Sequence, residues 1–489
     1  MIQKNLPRLL VRKERIANIA ITLILLAFTI VLETISQNTT GSFVNRQIEI
    51  LFLAIVIYCY IIISAFSLIK RIDLFQIFLF SSFFFFFGRH ILLLFNSVPT
   101  DGTLFKSVIS EETYISTGFF IIEAMLCVHI GYLLIGRSFV GKSEIYKNNV
   151  DILQKENDAL KWSGWVFFAI TVLPYLSMSI KNIRDTFIYG YGYRITELSK
   201  ESATFVSIVS GAMLPALMAI YITKRKQSKL PIILLGIYFA LYTLSGSRIN
   251  TFCYLLSFIY LYIYWRDSHK AISWKKIFIL VSIFAFSFSV VSNARGITSS
   301  TANMPDLLRT AVSNVWNNNP ITSALYEMGN TFVATAGVLQ FCPSDVPHLK
   351  GVSYICNFIY IIPNAWTNNF TANFLFTDDA ISGYLVPYGG VGSSFVAEAY
   401  YNFGRSGLII ILLIGIIWGL LCKKTEEYLL RGNVIKFFLS IGFFITIIFM
   451  VRSDLVYRFR PFVWDWVSLA GLAYLISKSK SQQIKSNKG

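Results

Sequence analysis

The chain has 489 residues, is 55% hydrophobic and 14% charged, and has a mean hydropathy of +0.59. Such a composition cannot fold in water without exposing apolar surface, which excludes a soluble enzyme and makes lipid the solvent. The net charge of +17 needs no nucleic acid partner, because most of it falls where a membrane protein faces anionic lipid.

A hydrocarbon core roughly 30 Å thick needs about 20 apolar residues per helix, and such windows predict an all-α polytopic membrane protein with about twelve transmembrane helices. In chain order they lie near 16–36, 47–69, 74–96, 113–136, 162–180, 204–223, 230–246, 249–265, 277–294, 407–422, 434–451 and 461–477. A basic stretch from Arg8 to Arg15 leads into the first, and no small-residue cleavage pattern follows it, so it reads as a retained span rather than a secretory signal. The third carries Arg89 and His90 inside an apolar run, where ionisable groups are costly and functional by default; His90 as a satisfied packing residue is the alternative. The organisation is then nine helices in residues 1–294, a large outer loop in 295–406, and three helices with a tail in 407–489.

With both ends in the cytoplasm, the inner loops hold 28 of the 43 Lys and Arg and the outer loops 14, as the positive-inside rule requires. The inner ones are mostly lysine and the outer ones mostly arginine, a split that topology alone does not ask for. Arginine suits phosphate because its planar fork makes paired, charge-assisted bonds. Arg248, Arg295, Arg452, Arg458 and Arg460 fall at the outer boundary, which points to an anionic, phosphorylated lipid there; headgroup anchoring and salt bridges with Asp454 are the plainer alternative.

The large outer loop is too long for a connector. It carries Trp316, Trp366 and clusters of asparagine, the side chains that stack on sugar rings and bond their hydroxyls. Its apolar stretches 331–341 and 354–363 are too short to span and read as re-entrant or interfacial. Gly389-Gly390-Val391-Gly392-Ser393-Ser394 then precedes Phe395-Val396-Ala397-Glu398-Ala399-Tyr400-Tyr401-Asn402-Phe403-Gly404. Glycines admit a ligand close to the backbone, and a helix starting near Ser393 aims free N–H groups at a phosphate. Glu398 and Asn402, four apart, share a face and suit a general base with a sugar-orienting partner; Glu398 paired with Arg405 is the structural alternative. Glu327, in Tyr326-Glu327-Met328-Gly329, is a second candidate base or a helix-entry charge.

Six cysteines form no CxxC pair and the histidines have no metal-ligand spacing, so neither metal, cofactor nor required disulfide is expected; Cys342 and Cys356 share the loop and are the one pairing available. A P-loop, HExxH and a nucleophile elbow are all missing, which argues against nucleotide-driven chemistry.

The order of Gly246-Ser247-Arg248, Arg295-Gly296, Tyr326-Glu327-Met328-Gly329, Gly351-Val352-Ser353-Tyr354, Ile362-Pro363-Asn364, the Gly389–Gly404 segment and Arg452-Ser453-Asp454 resembles the Wzy O-antigen polysaccharide polymerases, also called oligosaccharide repeat unit polymerases. The resemblance implies a glycosyltransferase-C-like membrane enzyme at the periplasmic face of the bacterial inner membrane. It would join repeat units carried on undecaprenyl diphosphate, with a chain-length regulator as partner. On that reading the five arginines bind the diphosphates of donor and acceptor, and Glu398 or Glu327 activates the acceptor hydroxyl. Tyr400, Tyr401, Asn402, Gly390 and Ser393 contact the glycan. An O-antigen ligase or a flippase for the same lipid is the alternative.

Overall fold

A computed structural model describes residues 2–38, 41–69, 72–95, 108–135, 150–188, 205–223, 229–245, 248–265, 320–363, 366–367, 370, 374–385, 392–455 and 458–486. Among them every element is helical. In chain order these are α1 (Ile2–Gln37), α2 (Phe43–Ile69), α3 (Leu74–Leu94), α4 (Glu111–Leu134), α5 (Val150–Ile188), α6 (Phe205–Gly211), α7 (Met213–Thr223), α8 (Leu230–Leu244) and α9 (Arg248–Trp265). There follow α10 (Pro320–Met328), α11 (Asn330–Phe341), α12 (Val352–Ile359), α13 (Thr377–Leu385), α14 (Phe395–Phe403), α15 (Gly407–Arg431), α16 (Val434–Ile448) and α17 (Ser468–Ser486).

Eight helical stretches are long and apolar enough to cross a membrane, and two shorter apolar ones run Leu230–Leu244 and Thr251–Leu261. The expected span 277–294 and Arg295 lie outside the described residues. The expected span 407–422 lies within α15; α14 joins it through a 3-10 turn at Gly404–Ser406, and together they form the apolar stretch Phe395–Arg431. Gly404 makes the junction possible with φ of +58°, a conformation glycine tolerates. The stretch 331–341 is helical. It forms α11, whose residues from Thr331 to Val338 are all buried against α3, α4, α13 and α14.

The chain divides into two compact units, one of Met1–Gly141, Leu325–Glu426 and Ile447–Arg460, the other of Lys142–Ala324, Glu427–Thr446 and Pro461–Gly489. In the first, α3 begins with a capping box: Asp73 accepts from the Gln76 N–H at 3.1 Å, and Gln76 Oε1 accepts from the Asp73 N–H at 2.9 Å. The remaining Asp73 oxygen accepts from the Tyr132 hydroxyl at 2.8 Å, tying α3 to the end of α4.

Helix α4 is almost wholly buried and meets α15 at a glycine crossing. A Cβ on Gly131 would lie 2.1 Å from the Leu412 carbonyl, and one on Gly415 would lie 2.1 Å from that of Val128. In lipid, where apolar burial adds little, such backbone contact is what holds helices together. Gly415→Val is therefore expected to cost about 3 kcal/mol or more, since neither backbone can yield. Fluorescence-detected size exclusion of tagged protein would show the folded peak lost.

The second unit is built on α5, which packs α6, α7 and α17 along its length. Its α17 is entered through a π-helical turn, Phe462–Val467. Trp466 anchors that turn on α16, its ring lying where a Cβ on Gly442 would be 2.3 Å away.

Candidate active site

In the first unit the segment after Gly392 starts α14 with Ser394 as N-cap, its hydroxyl accepting from the Ala397 N–H at 3.0 Å. That places Glu398 and Asn402 one turn apart on the inward face, both buried. Glu398 Oε1 accepts from the Ser353 hydroxyl at 2.7 Å, and Oε2 from the Leu455 N–H at 2.8 Å. Asn402 donates to the Ser353 hydroxyl at 2.9 Å and accepts from the Gly351 N–H at 2.9 Å. Together they fasten α14 to the start of α12 and, through Leu455, to the segment that bears Arg452.

Asp454 lies beside this network, 3% exposed. It accepts from the Ser393 hydroxyl and from the Thr377 N–H, the latter at 3.0 Å. Burial raises its carboxyl above the ordinary value, against the hydrogen bonds from Ser393 and Thr377, which lower it. Asp378 accepts from the Gly392 N–H at 3.0 Å, and burial raises its carboxyl too, opposed by the Arg452 charge.

Arg452 is seated by glycine. With φ of +79° at Gly392, a Cβ there would lie 2.9 Å from the guanidinium carbon, so the backbone passes directly over the charge. Its Nη1 donates to Thr331 at 3.4 Å. Arg458 donates to the Ser453 hydroxyl at 2.8 Å and covers the Phe449 ring, 4.6 Å from its centroid. Arg460 stacks on Tyr360 at 3.7 Å and donates to the carbonyls of Tyr360 and Ile362. Three arginines in nine residues thus close one end of a network whose centre is two buried carboxylates.

Helix α12 carries two further polar groups. The Tyr354 hydroxyl and Asn357 Oδ1 are buried with no hydrogen-bond partner among the described residues. The charges of Glu398 and Asp454 act on the Tyr354 hydroxyl, which burial pushes well above its ordinary range. Buried polar atoms are nearly always bonded, so these two mark a place prepared for a polar guest. Helix α12 buries Ser353, Cys356 and Asn357 and leaves Ile355 and Phe358 more than half exposed.

The residues expected from sequence are thus sorted. Glu398, Asn402 and Ser393 stand together with Arg452 and Arg458, but Glu398 has both oxygens engaged and no face open to a ligand. Tyr401 is buried, its hydroxyl donating to the Leu375 carbonyl at 3.3 Å, and Tyr400 packs edge-on against Phe120 at 5.3 Å. Glu327 is half-buried in α10, beside Tyr326, over whose ring Arg89 lies at 4.1 Å. Gly390 falls outside the described residues, as does the Arg248 side chain at the start of α9. Arg405 bonds Glu33 rather than Glu398, with Glu123 at 4.0 Å.

Asp378, Thr377 and Asn357 fall in no motif that the sequence singles out, and Tyr354, which ends the motif Gly351-Val352-Ser353-Tyr354, carries no expected role. All six cysteines are free, and Cys342 Sγ sits 3.1 Å from His348 Nδ1. Cys342→Ala with Cys356→Ala should therefore leave the protein's activity unchanged. No group of three or more metal-ligating side chains occurs among the described residues.

A family model described as O-antigen polysaccharide polymerase Wzy matches residues 16–482. No curated protein and no solved structure matches the chain. With nearly its whole length matched and its many apolar helices, the chain belongs to the O-antigen polysaccharide polymerase Wzy family, as a multi-pass membrane protein that joins O-antigen repeat units into polysaccharide.

Proposed function

We propose that the repeat units it joins are carried on undecaprenyl diphosphate and are joined at the periplasmic face of the bacterial inner membrane. In this arrangement twelve spans leave both ends in the cytoplasm and residues 295–406 on the outer side. The eight long apolar stretches, the two shorter ones, the helix through residues 459–486 and the apolar window 277–294 make up the count. The charge distribution supports the orientation. The exposed Ile355 and Phe358 of α12 suit a short helix lying at the lipid boundary.

The acceptor hydroxyl attacks the anomeric carbon of the donor, its proton passes to a carboxylate, and the bond from that carbon to the diphosphate oxygen breaks with the electron pair leaving on phosphate. A diphosphate is a good leaving group without protonation, so the demand on the protein is positive charge held in place. Arg452, Arg458 and Arg460 supply it in this reading, with Arg248 and Arg295 on the second diphosphate. Of the two acids, Glu327 takes the proton, being half-buried with its backbone set beside Arg89. Glu398 is a positioning residue: through Leu455 it holds the segment that presents Arg452. The seating of Arg452 between Gly392 and the carboxylate network is the single observation that carries this reading.

Deleting the gene in its host tests it. The expected product is lipid A core bearing a single repeat unit, with wild type restoring the ladder. Bare core with long polymer left on the lipid carrier would make it a ligase, and bare core with single units on the carrier a flippase.

A further inference from the structure

The second unit contains an acid that the chemistry above does not use. Asp465 sits in the π-helical turn Phe462–Val467, and π turns inside membrane helices recur at functional sites. Its carboxylate points at the break between α6 and α7: a Cβ on Gly211 would lie 2.9 Å from Oδ2 and 3.4 Å from Oδ1. Glycine at that position leaves room for the carboxylate, beside the one-residue irregularity at Ala212 within the helical stretch Phe205–Thr223.

Among the described residues the Asp465 carboxylate makes no hydrogen bond and no ion pair. Its charge reaches the Tyr238 hydroxyl. Tyr238 stacks on Tyr175 at 4.9 Å and on Tyr242 at 5.6 Å, and Tyr254 closes against Tyr242 at 5.5 Å. Tyr242 and Tyr254 are half-buried, so the group is not sealed in the core. A largely buried carboxylate without an internal partner is expensive, and in a membrane bundle it is kept for a ligand.

The geometry points to a glycan subsite in the second unit, in which Asp465 accepts hydrogen bonds from sugar hydroxyls beside the faces of Tyr242 and Tyr254. A lone carboxylate with aromatic neighbours suits vicinal hydroxyls and the apolar face of a sugar ring. A hard cation would need several oxygen ligands around it, and no cluster of acids accompanies Asp465 among the described residues. The inference rests on the family's sugar substrate and not on the lipid carrier.

The test measures binding, so it stands apart from whether diphosphate is the leaving group. The probe is the repeat-unit oligosaccharide cleaved from the host's own polysaccharide, titrated into full-length protein in nanodiscs. Asp465→Asn keeps the shape and removes the charge, and should weaken binding about tenfold or more, the worth of a hydrogen bond to a charged group. Gly211→Ala, which puts a methyl where the carboxylate rests, should weaken it likewise. Wild-type affinity in Asp465→Asn would overturn the proposal. Should that variant not fold, wild-type protein gives the answer: dicyclohexylcarbodiimide labels Asp465, and peptide mass spectrometry reads whether the oligosaccharide protects it. Protection by the oligosaccharide supports the subsite; protection by sodium or potassium ions alone, or by nothing, refutes it.

Discussion

Arg452→Ala is expected to stop polymerisation while leaving the protein in the membrane in normal amount. The guanidinium lies against the backbone at Gly392 and within reach of Thr331, at the edge of the buried network rather than inside it, so truncation removes charge without opening the core. Loss of one preorganised donor to a developing anion costs about 100-fold or more in rate. On a gel of extracted glycan the ladder should collapse to core with a single repeat unit. Arg452→Lys should restore little of it, because an ammonium cannot reproduce the planar fork. Gly392→Ala should mimic the loss, since its Cβ would displace the guanidinium from its seat and φ there is unsuited to an L side chain. A normal ladder from Arg452→Ala would remove that arginine from the reaction.

Glu398→Ala is expected to fail differently, by destabilising the protein. The substitution leaves the Leu455 N–H and the Ser353 hydroxyl without acceptors in a dry core and deletes the link between α12, α14 and the segment carrying Arg452. Each orphaned group costs about 1–3 kcal/mol, so the total is about 2–6 kcal/mol, comparable with the stability of a whole domain. Thermal unfolding of purified protein in detergent would show a large drop in Tm. Glu398→Gln, which still accepts at one oxygen, should fall between Ala and wild type. A proton-accepting role would show the opposite pattern, with Tm preserved and turnover lost.

These two expectations show where the sequence was informative. Membrane class and most spans were legible because a fold in water has little use for an unbroken apolar window of about twenty residues. Arg452 stood out because lysine would have served topology as well. Gly392-Ser393-Ser394 was legible as the start of a helix, and it caps α14 as such motifs do.

Other features were hidden for physical reasons. Helix α11 is too short to cross a membrane, and its burial depends on four partner helices that no local pattern names. The role of Glu398 depends on the Leu455 N–H, 57 residues on, and no local pattern announces such a partner. Asp454 invites a salt bridge with the arginines around it, but takes hydroxyl and amide donors instead. Asp465 escapes notice because one acid at a span's end reads as an interfacial charge, and neither the π turn nor the glycine facing it can be seen in the chain.

The most direct test of the account is reconstitution. Purified protein in proteoliposomes is given the repeat unit on undecaprenyl diphosphate and nothing else, and the products are resolved by mass. The account predicts a ladder of lengthening chains, still on the carrier, with one undecaprenyl diphosphate released per linkage and none from Arg452→Ala. Absence of polymer with wild-type protein, or polymer formed without release of the diphosphate carrier, would contradict it.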